Sequence, residues 1–187
     1  MLENGYLAIK GDKIIGVGTG EVPTSFIHFD TKFVKIGKKV VSPGLVDSHT
    51  HLVHGGSREH EFSMKIQGVP YLEILAAGGG ILSTLKATRE ASLEELIEKT
   101  KKSLRYMLEL GVTTVEAKSG YGLSLEQEIK QLEATKLLNY LQPISLVSTF
   151  MAAHATPPEF KGRTGDYVEE VIKMLPEIKK RNLAEFC

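Results

Sequence analysis

Cysteine is nearly absent from this sequence. Cys187 stands alone, so an internal disulfide is excluded and a reducing compartment is expected. It ends an apolar, strand-like segment, a poor setting for a nucleophile. Neither charge dominates: 23 Lys and Arg face 23 Asp and Glu, so nothing points to a nucleic-acid or acidic-membrane partner. The densest basic run, Lys179-Lys180-Arg181, falls at the end of an amphipathic helix, where cations favour the helix dipole and a solvated face. No apolar run is long enough to span a bilayer, and the start shows no secretory-signal pattern. No membrane partner and a cytoplasmic location are therefore expected. Repeats, low-complexity tracts and long linkers are missing as well.

The most informative stretch runs Pro43-Gly-Leu-Val-Asp-Ser-His49-Thr-His51-Leu52. An apolar run ends there in two histidines spaced i, i+2. On an extended strand such side chains point the same way, about 6.5–7 Å apart along the backbone. One strand end can thus offer two imidazoles to one metal ion, whereas a helix would turn them to different faces. A His-x-His pair also recurs by chance, but its context favours chemistry. Val40, Val41, Leu45 and Val46 read as a strand buried on both faces. His54, Arg58, Glu59, His60 and Glu61 follow at once, and α/β barrels keep their active sites at strand C-termini.

Residues 1–40 read as short strands. Gly5–Lys10 and Ile14–Val17 form a hairpin about a Gly-Asp turn, and Val34–Ile36 and Lys39–Val41 continue the extended pattern. Over residues 41–187 strands alternate with helices, which predicts βαβ units and a parallel sheet. Ser92-Leu-Glu-Glu95 is a capping box opening a helix whose stripe includes Leu93, Leu96, Ile97, Leu104, Met107 and Leu108, ended by Gly111. Val112–Lys118 is the next strand, rich in β-branched residues. Ser124-Leu-Glu-Gln127 predicts a second box, with a helix to about Leu141. A strand follows over Ile144–His154, then a helix capped by Asp166 and Glu169 that Pro176 should kink or break. Leu183–Cys187 begins a fourth strand. A short helix is expected over Tyr71–Ala77 within the excursion from Leu52 to Ala91. Gly78-Gly79-Gly80 either ends it as a flexible turn or brings backbone close to a ligand.

The segment at His49 resembles the first barrel strand of the amidohydrolase superfamily, metal-dependent hydrolases on a (β/α)8 scaffold. Five blocks narrow the resemblance to the imidazolonepropionases: His51–Phe62, Tyr71–Leu75, Gly78–Thr84, Val115–Leu123 and Val147–His154. This resemblance implies a fold class of α/β, the first about four strands of a TIM-type (β/α)8 barrel, preceded by part of a small β-sandwich. A complete barrel takes roughly 250 residues, so this chain of 187 is expected to be a fragment.

The resemblance makes His49 and His51 two ligands of one zinc or iron ion, both of which accept nitrogen and carboxylate donors. A further histidine, and an aspartate acting as general base, are expected beyond Cys187, so no catalytic base lies within these residues. Arg58, by itself an ordinary surface arginine, becomes a clamp for a substrate carboxylate, since a guanidinium fork binds carboxylates bidentately. Tyr121, otherwise a turn aromatic, and His154, otherwise a satisfied core histidine, become substrate-binding residues, with Tyr71 beside them. His54, His60 and Glu116 either orient ligands or serve the fold. Lys118, a metal bridge in some superfamily members, is not assigned to metal.

The implied reaction is hydrolysis of 4-imidazolone-5-propanoate to N-formimino-L-glutamate in histidine degradation, by attack of a metal-activated water on the ring amide. The alternatives are another aminohydrolase or cyclic amide hydrolase, or a truncated chain without activity. A small-molecule partner is implied, and homodimers are expected for the full-length enzyme.

Overall fold

A computed structural model describes residues 1–187, which divide into two compact units, Met1–Ser42 and Pro43–Cys187. In the first, β1 (Gly5–Lys10) and β2 (Lys13–Thr19) pair antiparallel, Leu7 opposite Val17, about a turn where Gly11 has φ +61°. The hairpin is thus as expected. Phe26, in a short 3-10 turn, lies over β2 so closely that a Cβ on Gly16 would come within 2.5 Å of its ring. No strand forms over Val34–Ile36 or Lys39–Val41, so the expected continuation fails. The sheet stops at two strands, and Ile9, Ile14 and Val17 stay exposed.

The second unit is mixed α/β. Three parallel strands stand in the order β3 (Leu45–Thr50), β4 (Val112–Lys118), β5 (Ser145–Thr149). Five helices besides the one after β5 surround them: α1 (Glu59–Ile66), α2 (Tyr71–Ala76), α3 (Ile81–Glu90), α4 (Leu93–Glu109) and α5 (Leu125–Leu141). The last is α6 (Thr164–Lys180). The central strand β4 is flanked on both sides, with Val115 and Ala117 buried. They pack with Leu96, Leu104 and Leu138 of α4 and α5. A second cluster joins α5 and α6 through Leu132, Phe150, Tyr167 and Met174.

Local signals explain most boundaries. Ser92 caps α4 through both halves of the predicted box: its hydroxyl accepts the Glu95 N–H (3.1 Å), and its own N–H donates to Glu95 (2.8 Å). Gly111, at φ +91°, ends that helix.

Several expectations need correcting. The first strand begins at Leu45 and not Val40, and Val40, Val41, Leu45 and Val46 are all exposed. A strand at the sheet edge has no outer neighbour to cover it. The box at Ser124 does not form: its side chain caps nothing, and Glu128 folds back onto the preceding loop. Asp166 lies inside the first turn of α6, paired with Arg163 at 3.4 Å, and caps nothing. Pro176 does not end α6, which runs on to Lys180; Ile172, whose carbonyl loses its helical partner, lies on an exposed face. The strand expected to reach His154 stops at Thr149 and gives way to a 3-10 turn, Ala152–His154. The fourth strand is a single parallel bridge, Thr149 to Phe186. Within the long excursion, α1 and α3 join the expected helix at Tyr71. No helix is long and apolar enough to cross a membrane.

Candidate functional site

The C-terminal ends of the three parallel strands bring four of the six candidate residues together. β3 delivers His49 and, one residue past its last, His51; their ring centroids lie 6.1 Å apart. The Asp47 carboxylate accepts the His49 N–H at 3.1 Å and braces the strand end. The Thr50 hydroxyl and that N–H hold Asp47 below the usual carboxylate range. Beyond β4, Gly120 turns the chain at φ +107°, where a Cβ would meet the Met151 carbonyl at 2.7 Å and the His154 Cβ at 2.9 Å. Only glycine lets this loop pass so close. Tyr121 then lies with its ring 4.7 Å from that of His51. Past β5, the 3-10 turn sets His154 at 4.3 Å from His51 and 5.7 Å from Tyr121.

His51 is the chemically distinctive member. Both its ring nitrogens are buried and neither makes a hydrogen bond of good geometry, although the Ser119 backbone is near enough to offset part of the fall in its pKa. Such buried polar atoms are rare. Burial, then the neighbouring His154, pushes its pKa down to about 4, so the imidazole is neutral near pH 7. A neutral imidazole with a free lone pair is the form that binds metals. His154 is likewise lowered by burial and by His49. The donor set therefore fits an ion held by His49 and His51. No three His, Cys, Asp or Glu side chains converge closely enough to hold one alone.

Arg58 and Tyr71 are not brought into this cluster. Arg58 precedes α1 and is exposed. Its charge is the smallest of the influences that lower His54, after burial and Lys99. Tyr71 opens α2, 54% exposed, with the Lys65 ammonium 5.5 Å from its ring centre. The glycine run does structural work: Gly78 and Gly80 take positive φ between α2 and α3, and the Gly80 N–H donates to the buried Glu61 (2.8 Å). Among the remaining candidates, His54 is held by Lys99, whose ammonium donates to its Nδ1 and to its carbonyl, both at 2.9 Å. The same Nδ1 lies 3.0 Å from the Gly55 carbonyl, so it faces a donor and an acceptor at once and these contacts assign no tautomer. His60 is exposed in the first turn of α1. Lys118 is tied up by Glu116, which also accepts the Thr149 hydroxyl at 2.6 Å.

Reading the sequence missed Glu128 and Gln131, two buried polar residues of α5 that grip the Tyr121 loop. The signal available was their i, i+3 spacing beside Ile129 and Leu132, which puts them on the apolar face.

Comparison with known proteins agrees with the blocks noted above. No family model matches the chain. It is 71% identical over 98% of its length to an imidazolonepropionase of Fusobacterium nucleatum, and 61% identical over 100% to one of Streptococcus gordonii. A third, from Alkaliphilus oremlandii, is 54% identical over 100%. In each case the match covers 45% of the relative. The chain is thus a relative of the imidazolonepropionases along its whole length, and spans a little under half of theirs.

Proposed function

We propose that the chain forms part of a metal-dependent imidazolonepropionase that hydrolyses 4-imidazolone-5-propanoate to N-formimino-L-glutamate. The observation that carries this reading is the convergence of His49, His51, Tyr121 and His154 at the ends of three parallel strands, with His51 unpartnered on both nitrogens. In this reading the strands are the first of a (β/α)8 barrel and the hairpin belongs to a small flanking β-sandwich. His49 and His51 hold one zinc or iron ion. Such an ion, when bound, polarises the ring amide and makes water acidic enough to attack at neutral pH. Tyr121 and His154 contact the imidazolone ring, and their tilted packing against His51 fixes where it lies. Arg58 takes the propanoate carboxylate, and Tyr71 borders the same pocket.

In the overall step, water oxygen bonds to the ring carbonyl carbon and the ring C–N bond breaks. The carbonyl carbon becomes a carboxylate, still bonded to the ring carbon that bears the propanoate arm, and the nitrogen, taking a proton, remains in the formimino group. The groups named here bind and orient; the base that removes the water proton comes from outside these residues. The full-length protein acts in the cytoplasm as a homodimer.

Arg58→Met in the full-length protein tests the substrate. Loss of a charge-assisted carboxylate contact worth about 1.5–3 kcal/mol raises KM roughly ten- to hundredfold. An unchanged KM would exclude the carboxylate clamp and favour a hydrolase of a neutral heterocycle.

A further inference from the structure

In the run Ser119–Leu123, which carries Tyr121, every backbone N–H has a partner. Ser119 donates to the Thr149 carbonyl at 3.0 Å. Gly120, Gly122 and Leu123 donate to the Glu128 carboxylate at 3.0, 2.9 and 2.8 Å. Tyr121 donates to the Gln131 side-chain oxygen at 3.2 Å. The Gln131 amide in turn donates to the Val53 carbonyl at 2.6 Å, two residues past His51. One face of α5 therefore ties the loop after β4 to the loop after β3. From the far side, Arg89 donates to the Gly122 carbonyl (2.8 Å), and the Tyr167 hydroxyl reaches the Ala152 carbonyl (2.8 Å).

Glu128 is fully buried, and burial pushes its carboxyl up against the pull of the Ser119 hydroxyl and the three N–H groups. A buried carboxylate is unfavourable unless its oxygens are saturated with donors. Nothing in α5 needs it, because an apolar residue would serve the helix face as well. The groups that need it are the three loop N–H groups, which would otherwise be buried without acceptors.

We propose that Glu128, assisted by Gln131, is a positioning residue that folds the Ser119–Leu123 loop and so sets Tyr121 against His51 and His154. For catalysis, this rests on the reading that Tyr121 contacts substrate. The role demands two acceptor oxygens. Glutamine keeps the shape but turns an amide NH2 toward a donor, so all three bonds cannot survive. Aspartate keeps both oxygens and the charge but falls one methylene short.

The full-length protein carrying fluorotyrosine tests this by fluorine NMR, the Tyr121 line being assigned by its loss in Tyr121→Phe. In Glu128→Gln the Tyr121 line shifts and KM rises roughly tenfold, as expected for a displaced contact group. The lines of Tyr106 and Tyr140, both exposed, stay in place, and Glu128→Asp recovers part of both effects. An unmoved Tyr121 line in folded Glu128→Gln overturns the proposal. So does movement of all three lines together, which would make Glu128 a residue of the whole fold. Should Glu128→Gln fail to fold, Gln131→Ala, which frees the Tyr121 N–H, decides: an unmoved line there overturns the proposal too. An unchanged KM in Tyr121→Phe would strike only at the substrate role of Tyr121, with the fluorine shift still deciding positioning.

Discussion

Gly120→Ala concentrates two penalties at one atom. The backbone at φ +107° lies where an L side chain is strained, at about 1–3 kcal/mol. The added Cβ would also stand 2.7 Å from the Met151 carbonyl and 2.9 Å from the His154 Cβ, well inside van der Waals contact. Neither neighbour yields easily. The Met151 N–H is tied to the Ser119 hydroxyl at 2.9 Å, and its carbonyl accepts the His154 N–H at 3.0 Å. Overpacking of this kind costs about 1–3 kcal/mol. The sum, about 2–6 kcal/mol, corresponds to a fall in Tm of roughly 6–18 °C for a domain near this size. Thermal and urea unfolding followed by circular dichroism read it directly. Gly165→Ala is the control: a Cβ there meets nothing within 4 Å, so alanine in that first helical turn is neutral or stabilises by up to about 1 kcal/mol. A Gly120→Ala protein within about 0.5 kcal/mol of the parent would mean the loop relaxes freely. The argument that glycine sets the approach of Tyr121 to the histidines would then fail.

Two further outcomes follow from the same residues. His51, lowered to about 4, and His54, lowered by burial, are both harder to protonate folded than unfolded. Their contribution to stability is therefore complete above about pH 6.5 and is lost as pH falls toward 4; imidazole titration by NMR in metal-free protein should find the His51 midpoint near 4, and one near 6.5 would show its ring to be solvated. The isolated 187 residues, which offer one histidine pair and no three-ligand cluster, should bind zinc weakly and turn over no substrate, so any measurable hydrolysis by them would show that the base lies inside this chain.

What the sequence revealed follows from how local each cause is. The helix from Leu93 was readable because its cap, its stripe and its terminating Gly111 all act within a few residues. The burial of Val40 to Val46 was misread because burial depends on what stands beyond the strand, and β3 is an edge. Ser124 matches the capping pattern and begins the helix, yet its side chain makes no cap hydrogen bond. Of the cluster, His49 and His51 were legible from their i, i+2 spacing at a strand end, whereas Tyr121 and His154 took their roles from the family resemblance. Parallel strands place their ends side by side, which brings the four together. Glu128 and Gln131 were not legible, since glutamate and glutamine on a helix ordinarily mark a solvated face. Arg58 and Tyr71 rest on the family resemblance alone, since no local pattern places them beside the histidines.

The two sides of the proposed site are unequally anchored. Tyr121 and His154 sit on segments fixed by a buried carboxylate, a buried amide and the core between α5 and α6. Arg58 and Tyr71 open α1 and α2, short helices that bury Glu61 and Ile74 respectively and nothing else. Local stability follows buried contacts, so α1 and α2 open at lower free energy than the β4 and β5 loops. In the proposed reaction this assigns different tasks to the two sides. The ring end of the substrate meets a preformed surface, where a displacement of about 1 Å costs rate. The carboxylate end meets an arginine on a weakly held helix, whose charge and reach tolerate adjustment. Perturbing Glu128 or Gly120 should therefore disturb ring orientation, whereas loosening α1 should weaken substrate capture and leave the ring contacts intact.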